Sequence, residues 1–241
     1  MKAIIKRELK AYFTSPLGYA VLTVLAFFFG IFYTMYLKNG SADMTNVLYL
    51  MVLALFVVIP LLTMRLLANE RRQKTDQLLM SAPVNISMIV LGKFFAALLF
   101  FCVFFVEVIV FNFVYLFFGA TIDWLVFLGN ILGMLFLSAA LITIGLFISA
   151  LTEDQVVAAI ATYGISLILL FMNFFMDIFS MITSITVPTA VSEAFDWICF
   201  YTRYQSFTQG IFDLTNITFF ISVIAVFLFM TVRVVDRKRW A

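Results

Sequence analysis

No histidine occurs in these 241 residues. That absence removes His-based zinc sites, Ser–His nucleophilic pairs and imidazole proton relays together. Cysteine is nearly absent too. Cys102 lies in an apolar run and Cys199 in a polar segment, without CxxC spacing, so neither a thiolate metal site nor a disulfide is indicated. Charge is scarce: 12% of residues are Asp, Glu, Lys or Arg, against roughly a quarter in a water-soluble domain. Half the usual supply cannot clothe a surface in water. No GxxxxGK[ST] phosphate loop is present, since "LGKF" at 91–94 lacks both the leading Gly and the Ser/Thr that would hold magnesium. GxSxG and paired intramembrane aspartates are also missing, which leaves an intramembrane enzyme without a catalytic set.

What is present is oil. Hydrophobic residues make up 65% of the chain, mean hydropathy is +1.13, and there are 31 Phe residues, most simply read as lipid-facing or packing surface. A bilayer core needs about 20 apolar residues per helix. Six stretches qualify, at 17–37, 47–67, 94–118, 124–151, 156–176 and 217–235. No alternating strand pattern supports a barrel. The expected fold is therefore an all-α integral membrane protein with six transmembrane helices in a single transmembrane domain, 1–241.

Charge patterning sets the expected orientation. If six helices alternate, 13 of the 15 basic residues fall at one end, and only Lys38 and Arg203 at the other. By the positive-inside rule both termini and the 68–93 region are expected to be cytoplasmic, in a multi-pass protein of the cell (plasma) membrane. Residues 1–16 form an amphipathic segment with Lys6, Arg7 and Lys10 beside Ile5, Leu9, Tyr12 and Phe13. This is expected to be an interfacial elbow helix, with its lysines near anionic headgroups, ended by Pro16. The 177–216 segment is too polar to span and too aromatic for a solvated loop. Trp197, Tyr201 and Tyr204 favour the headgroup level, so short external helices on or dipping into the outer leaflet are expected.

The stretch "RLLANERRQKTDQLLMSAPVNISMIVLGKF" (65–94) is a polar island between two apolar runs. Its pattern predicts that the second span continues as one rigid helix to Met80 and stops at Pro83. A new helix is then expected to start near Asn85 or Ser87. Leu67, Leu78 and Leu79 appear as apolar points among Glu70, Arg71, Arg72, Lys74 and Asp76. Two readings stand: a solvated loop that sets topology, or a docking element for a cytoplasmic protein.

Single residues inside the spans are few. Glu107 is the one acid in the middle of a span, and a carboxylate there is a functional candidate or a protonated packing group. Asn112, Asn130 and Asn173 can hydrogen-bond between helices, and Gly129 with Gly133 forms a small-xxx-small face, for packing within the subunit or at a dimer interface. Glu153 and Asp154 stand at the start of the fifth helix, where the dipole favours acids, as a cytoplasmic-turn contact facing Arg71 or Arg72.

The island resembles the coupling region of type-2 ABC exporter permeases through Glu70, Arg71, Arg72, Thr75, Leu78, Leu79, Pro83, Gly92 and Lys93. Lys74 departs from the pattern, standing where that family usually has Gly before Thr75. "RELKAYFTSPLGY" (7–19), "IGLFISALTEDQVVAAI" (144–160) and "SFTQGIFDLTNITFFISVIAVFLFMTVRVVDRKRW" (206–240) extend the resemblance, most to the gliding-motility-type subfamily. It implies a permease of the bacterial inner membrane whose coupling helix docks on a cytoplasmic ABC ATPase subunit. ATP and magnesium would sit on that ATPase, with no cofactor in this chain. It also implies a second permease subunit, as a homo- or heterodimer, an external re-entrant pair before the last span, and no nucleic-acid partner. The alternative is an ion- or proton-coupled secondary transporter or channel, which would call for several buried acids or broken helices in paired positions.

Overall fold

The computed structural model describes residues 1–38, 44–72, 85–117, 123–183 and 197–239. Among these the chain is helical with no β-strand. The order is α1 (Lys2–Thr14), α2 (Pro16–Lys38), α3 (Met44–Thr63), α4 (Ala68–Arg72), α5 (Ile86–Phe117), α6 (Trp124–Leu151), α7 (Gln155–Thr183), α8 (Phe200–Thr208) and α9 (Leu214–Arg239). Six helical stretches are long and apolar enough to cross a membrane: Pro16–Tyr36, Thr45–Arg72, Ile86–Val114, Trp124–Leu151, Gln155–Met172 and Leu214–Arg237. The protein is a multi-pass, all-helical membrane protein.

The elbow forms where Pro16 places it. Ser15 closes α1, and its hydroxyl accepts from the Gly18 N–H at 3.2 Å, while Pro16 occupies the first helical position, where no amide hydrogen is needed. Tyr12 is buried and stacks on Phe100 of α5, with ring centroids 4.9 Å apart. The amphipathic α1 thus lies along the start of α5.

The centre of the bundle is α6, which packs against α3, α5, α7, α8 and α9. Apolar on all sides, it is the most enclosed span, at 72% buried, whereas α9 is only 11% buried. Two of its hydroxyls turn back on their own helix: Ser138 donates to the Leu135 carbonyl and Thr143 to that of Ala140. Gly129 and Gly133 carry the short helix α8. A Cβ on Gly129 would lie 2.6 Å from the Phe207 carbonyl oxygen, and one on Gly133 would lie 2.7 Å from Phe207 Cβ. The small-xxx-small face therefore serves packing within the subunit. Asn130 joins it by accepting from the Tyr204 hydroxyl at 3.0 Å, an interhelical bond of the expected kind.

Arg203, a basic residue at the end of the bundle opposite the elbow, is held locally by uncharged partners. Its guanidinium donates to Asn216 Oδ1 (2.8 Å) and to the Trp197 carbonyl (3.1 Å), and it covers the Trp197 ring at 5.3 Å. Asn216 in turn donates to Ser206 at 3.0 Å.

One expectation is corrected here. The second span does not continue as one rigid helix to Met80: α3 stops at Thr63, a turn covers 64–67, and α4 follows. The helix of the fifth span outruns its membrane-spanning part: the stretch apolar enough to cross is Gln155–Met172, against the expected 156–176, and α7 runs on to Thr183 past a kink at Phe171 (φ −97°, ψ 16°).

Candidate functional site

The first break begins with Pro60. Proline inside α3 cannot donate to the Phe56 carbonyl, which the Ser166 hydroxyl of α7 approaches to 3.3 Å while also reaching the Tyr163 carbonyl of its own helix at 2.9 Å. One turn later the Thr63 hydroxyl bonds back to Ile59 (3.0 Å) and Pro60 (3.3 Å), and the Leu66 N–H reaches only to Thr63, the tight spacing of a helix end. The open backbone groups are then met by another helix. Ser149 of α6 accepts from the N–H of Leu67 and of Ala68, each at 3.0 Å, and donates to the Met64 carbonyl at 3.3 Å. One donor and two lone pairs are all a hydroxyl has, so Ser149 is fully committed to this joint. One turn earlier, Gly145 faces Thr63 so closely that any Cβ there would collide with the threonine side chain.

Beyond the joint, α4 enters a network of four charges. Glu70 Oε1 accepts from Lys93 Nζ of α5 and from Arg7 Nη2 of α1, both at 2.9 Å. Glu8 Oε1 accepts from Arg7 Nη2 at 2.6 Å and from Lys93 Nζ at 3.3 Å. The Lys93 side chain is 1% exposed, so its charge is tolerable only with counter-ions in contact. Among the described contacts the two cations face two anions. The hydrogen bond to Glu8 raises the Arg7 guanidinium further, with partial burial opposing and Glu70 adding to the rise. Burial raises the Tyr12 phenol of the same helix. Gly92 makes room beside Lys93: a Cβ there would approach Ile4 of α1 to 2.9 Å. A third tie runs to the turn between α6 and α7, where Gln155 donates to Asn69 Oδ1 at 2.6 Å.

The candidate residues fall as follows. Glu70 stands inside the network, Arg71 beside it is partly buried, and Arg72 is exposed. Thr75, Leu78, Leu79 and Pro83 lie outside the described residues, as does Lys74. Leu67 is buried against the bundle, which corrects its reading as an exposed apolar point: the turn folds it inward. Asp154 accepts from the Val156 N–H at 2.8 Å and so caps α7, and Glu153 is exposed. The described contact from their turn to α4 is that of Gln155 with Asn69, one residue beyond the acids. Glu107 is half-buried, between the exposed Val106 and the buried Val108. Asn112 is buried, and its Oδ1 has no hydrogen-bond partner among the described residues.

Sequence reasoning missed Arg7, Glu8, Ser149 and Gly145 as parts of one site. A signal existed for three of them. Lys93 starts an apolar run and requires an acid from elsewhere, which points to Glu8, and Gly145 with Ser149 is a small pair at i, i+4 on the fourth span. A family model described as "ABC-2 family transporter protein" matches residues 3–240. Comparison with curated proteins returns no match.

Proposed function

The chain belongs to the ABC-2 transporter family, and from that premise we propose that it is the membrane-spanning permease subunit of an ATP-driven ABC exporter. A separate cytoplasmic ATPase binds ATP and magnesium and docks on the coupling region, 68–93, the arm that begins with α4. Glu70, Arg71, Arg72, Thr75, Leu78, Leu79 and Pro83 form the coupling region. A second permease subunit completes the path. The termini and the arm are cytoplasmic in the plasma membrane, and the resemblance to gliding-motility-type permeases belongs to this same reading. Cargo is amphipathic or lipid-like, in keeping with the scarcity of membrane-embedded charge.

One observation carries the proposal. The root of the arm is tied to α1, α5 and α6 by ion pairs and hydrogen bonds. A loop that only sets topology has no use for such anchorage, whereas a part that receives force from outside must be joined to what it moves. Closure of the ATPases would then displace the arm and shift the bundle between inward- and outward-facing populations. The test is purification of the complex from native membranes. An ATPase co-purifies with the wild type and is lost from Arg71→Glu/Arg72→Glu. An ATPase that stays bound after both the reversal and deletion of 73–80 refutes the docking.

Glu107 favours the second reading, an ion- or proton-coupled transporter or channel, because it is a lone, half-buried carboxyl in α5. Glu107→Gln separates the two: it leaves ATP-dependent flux intact in an exporter and abolishes pH-gradient-driven flux in the alternative.

A further inference from the structure

We infer that Ser149 is a positioning residue for energy coupling: through its hydroxyl, movement of the arm enters the central helix α6 instead of travelling up α3. The inference rests on the exporter reading and adds the route of the stroke. A continuous α3 would make the second span the lever. The chain instead has a four-residue turn, 64–67, between α3 and α4, and a turn closed by short-range bonds bends more readily than a helix held by a full ladder. A displacement of α4 is therefore absorbed in that turn before it can tilt α3.

The stiffer connection runs sideways. Both N–H groups at the joint, of Leu67 and Ala68, end on Ser149, whose own hydrogen goes to Met64. Ser149 is buried, so no water is at hand to replace these bonds if the arm pulls away. Gly145 holds Thr63 one turn earlier in the same helix, so α3 and α4 are both seated on one stripe of α6. Since α6 packs on α3, α5, α7, α8 and α9, a shift delivered to its end reaches most of the bundle at once. The "IGLFISALTEDQ" stretch thereby gains a role: Gly145 and Ser149 form the seat, and Gln155 adds a second tie through Asn69.

The test uses the complex of the full chain with its co-purifying ATPase in lipid nanodiscs. Amide hydrogen exchange is read without nucleotide and with ATP, magnesium and vanadate. In the wild type, nucleotide changes exchange in both 64–69 and 145–152. In Ser149→Ala, exchange at Leu67 and Ala68 without nucleotide is about tenfold or more faster, as expected when a buried bond is lost. The nucleotide response of 145–152 disappears while that of 64–69 persists. Ser149→Thr, which keeps the hydroxyl, restores the response of 145–152. If Ser149→Ala shows the faster local exchange yet an undiminished response in 145–152, Ser149 is only a local brace and the inference is overturned. A Thr variant as impaired as the Ala variant overturns it as well, because the hydroxyl is then not what transmits. A wild-type complex without an ATPase, or without any nucleotide response, defeats the exporter reading itself and the inference with it.

Discussion

Removing the acids that surround Lys93 one at a time, and then together, tests the charge network quantitatively. Lys93 Nζ touches Glu70 at 2.9 Å and Glu8 at 3.3 Å, on a side chain only 1% exposed. At an effective dielectric near 20, a unit pair 4 Å apart attracts by about 4 kcal/mol, most of it offset by the cost of desolvating both charges. Glu70→Gln leaves Glu8 in place, so the loss is that of one charge-assisted hydrogen bond, about 1.5–3 kcal/mol. Glu8→Gln is expected to cost a similar amount. The Arg7 contacts add little, because that side chain is 52% exposed and solvent screens it. The double variant strips the buried ammonium of both its described counter-ions and should exceed the sum of the singles by about 1–3 kcal/mol. Adding Lys93→Met removes the stranded charge and should recover most of that loss, since apolar replacements of whole buried ionic clusters are often neutral. Thermal unfolding in nanodiscs is the assay, with roughly 2–4 °C per kcal/mol for a chain of this size. Strict additivity of the two acids, or a triple variant no better than the double, refutes the reasoning.

Three further outcomes follow from the packing. Gly145→Ala should destabilise by about 1–3 kcal/mol through collision with Thr63, and Thr63→Ala in the same chain should relieve most of it in the same melt. Gly129→Ala should loosen α8 and speed tryptic cleavage after Arg203, whereas Gly30→Ala, whose Cβ meets nothing within 4 Å, should leave cleavage unchanged. Tyr204→Phe should cost about 1–3 kcal/mol by stripping Asn130 of its donor. Burial raises the Tyr204 phenol in the fold above its ordinary 10.0, so its contribution is complete below about pH 10 and is lost as pH climbs beyond it. Stability measured across that alkaline range should accordingly fall less steeply in Tyr204→Phe than in the wild type.

The spans were readable because lipid imposes a simple rule: runs of about 20 apolar residues separated by charge. The elbow was equally plain, since Pro16 can begin a helix but not continue one. The joint was not readable. The 64–67 turn is stabilised by a serine 82 residues away from Leu67, and local propensity alone, with Leu66, Leu67 and Ala68 in a row, favours an unbroken helix. Lys93 looked like one more topology charge because its acids lie on other helices, Glu8 being 85 residues distant. Leu67 seemed exposed for the same reason: on a continuous helix it would project among charges, and only the turn folds it inward. The extension of α7 to Thr183 escaped because "MDIFSMIT" carries too little apolar character to read as part of a span.

The most direct test of the account places a photocrosslinking residue at Arg72, on the arm, and separately at Lys38, at the other end of α2 from the elbow. An azido-ATP label then identifies ATP-binding polypeptides in intact membranes. An adduct is expected between position 72 and an ATP-binding protein, and none from position 38. An ATP-binding adduct from 38, or its absence from 72, would contradict it.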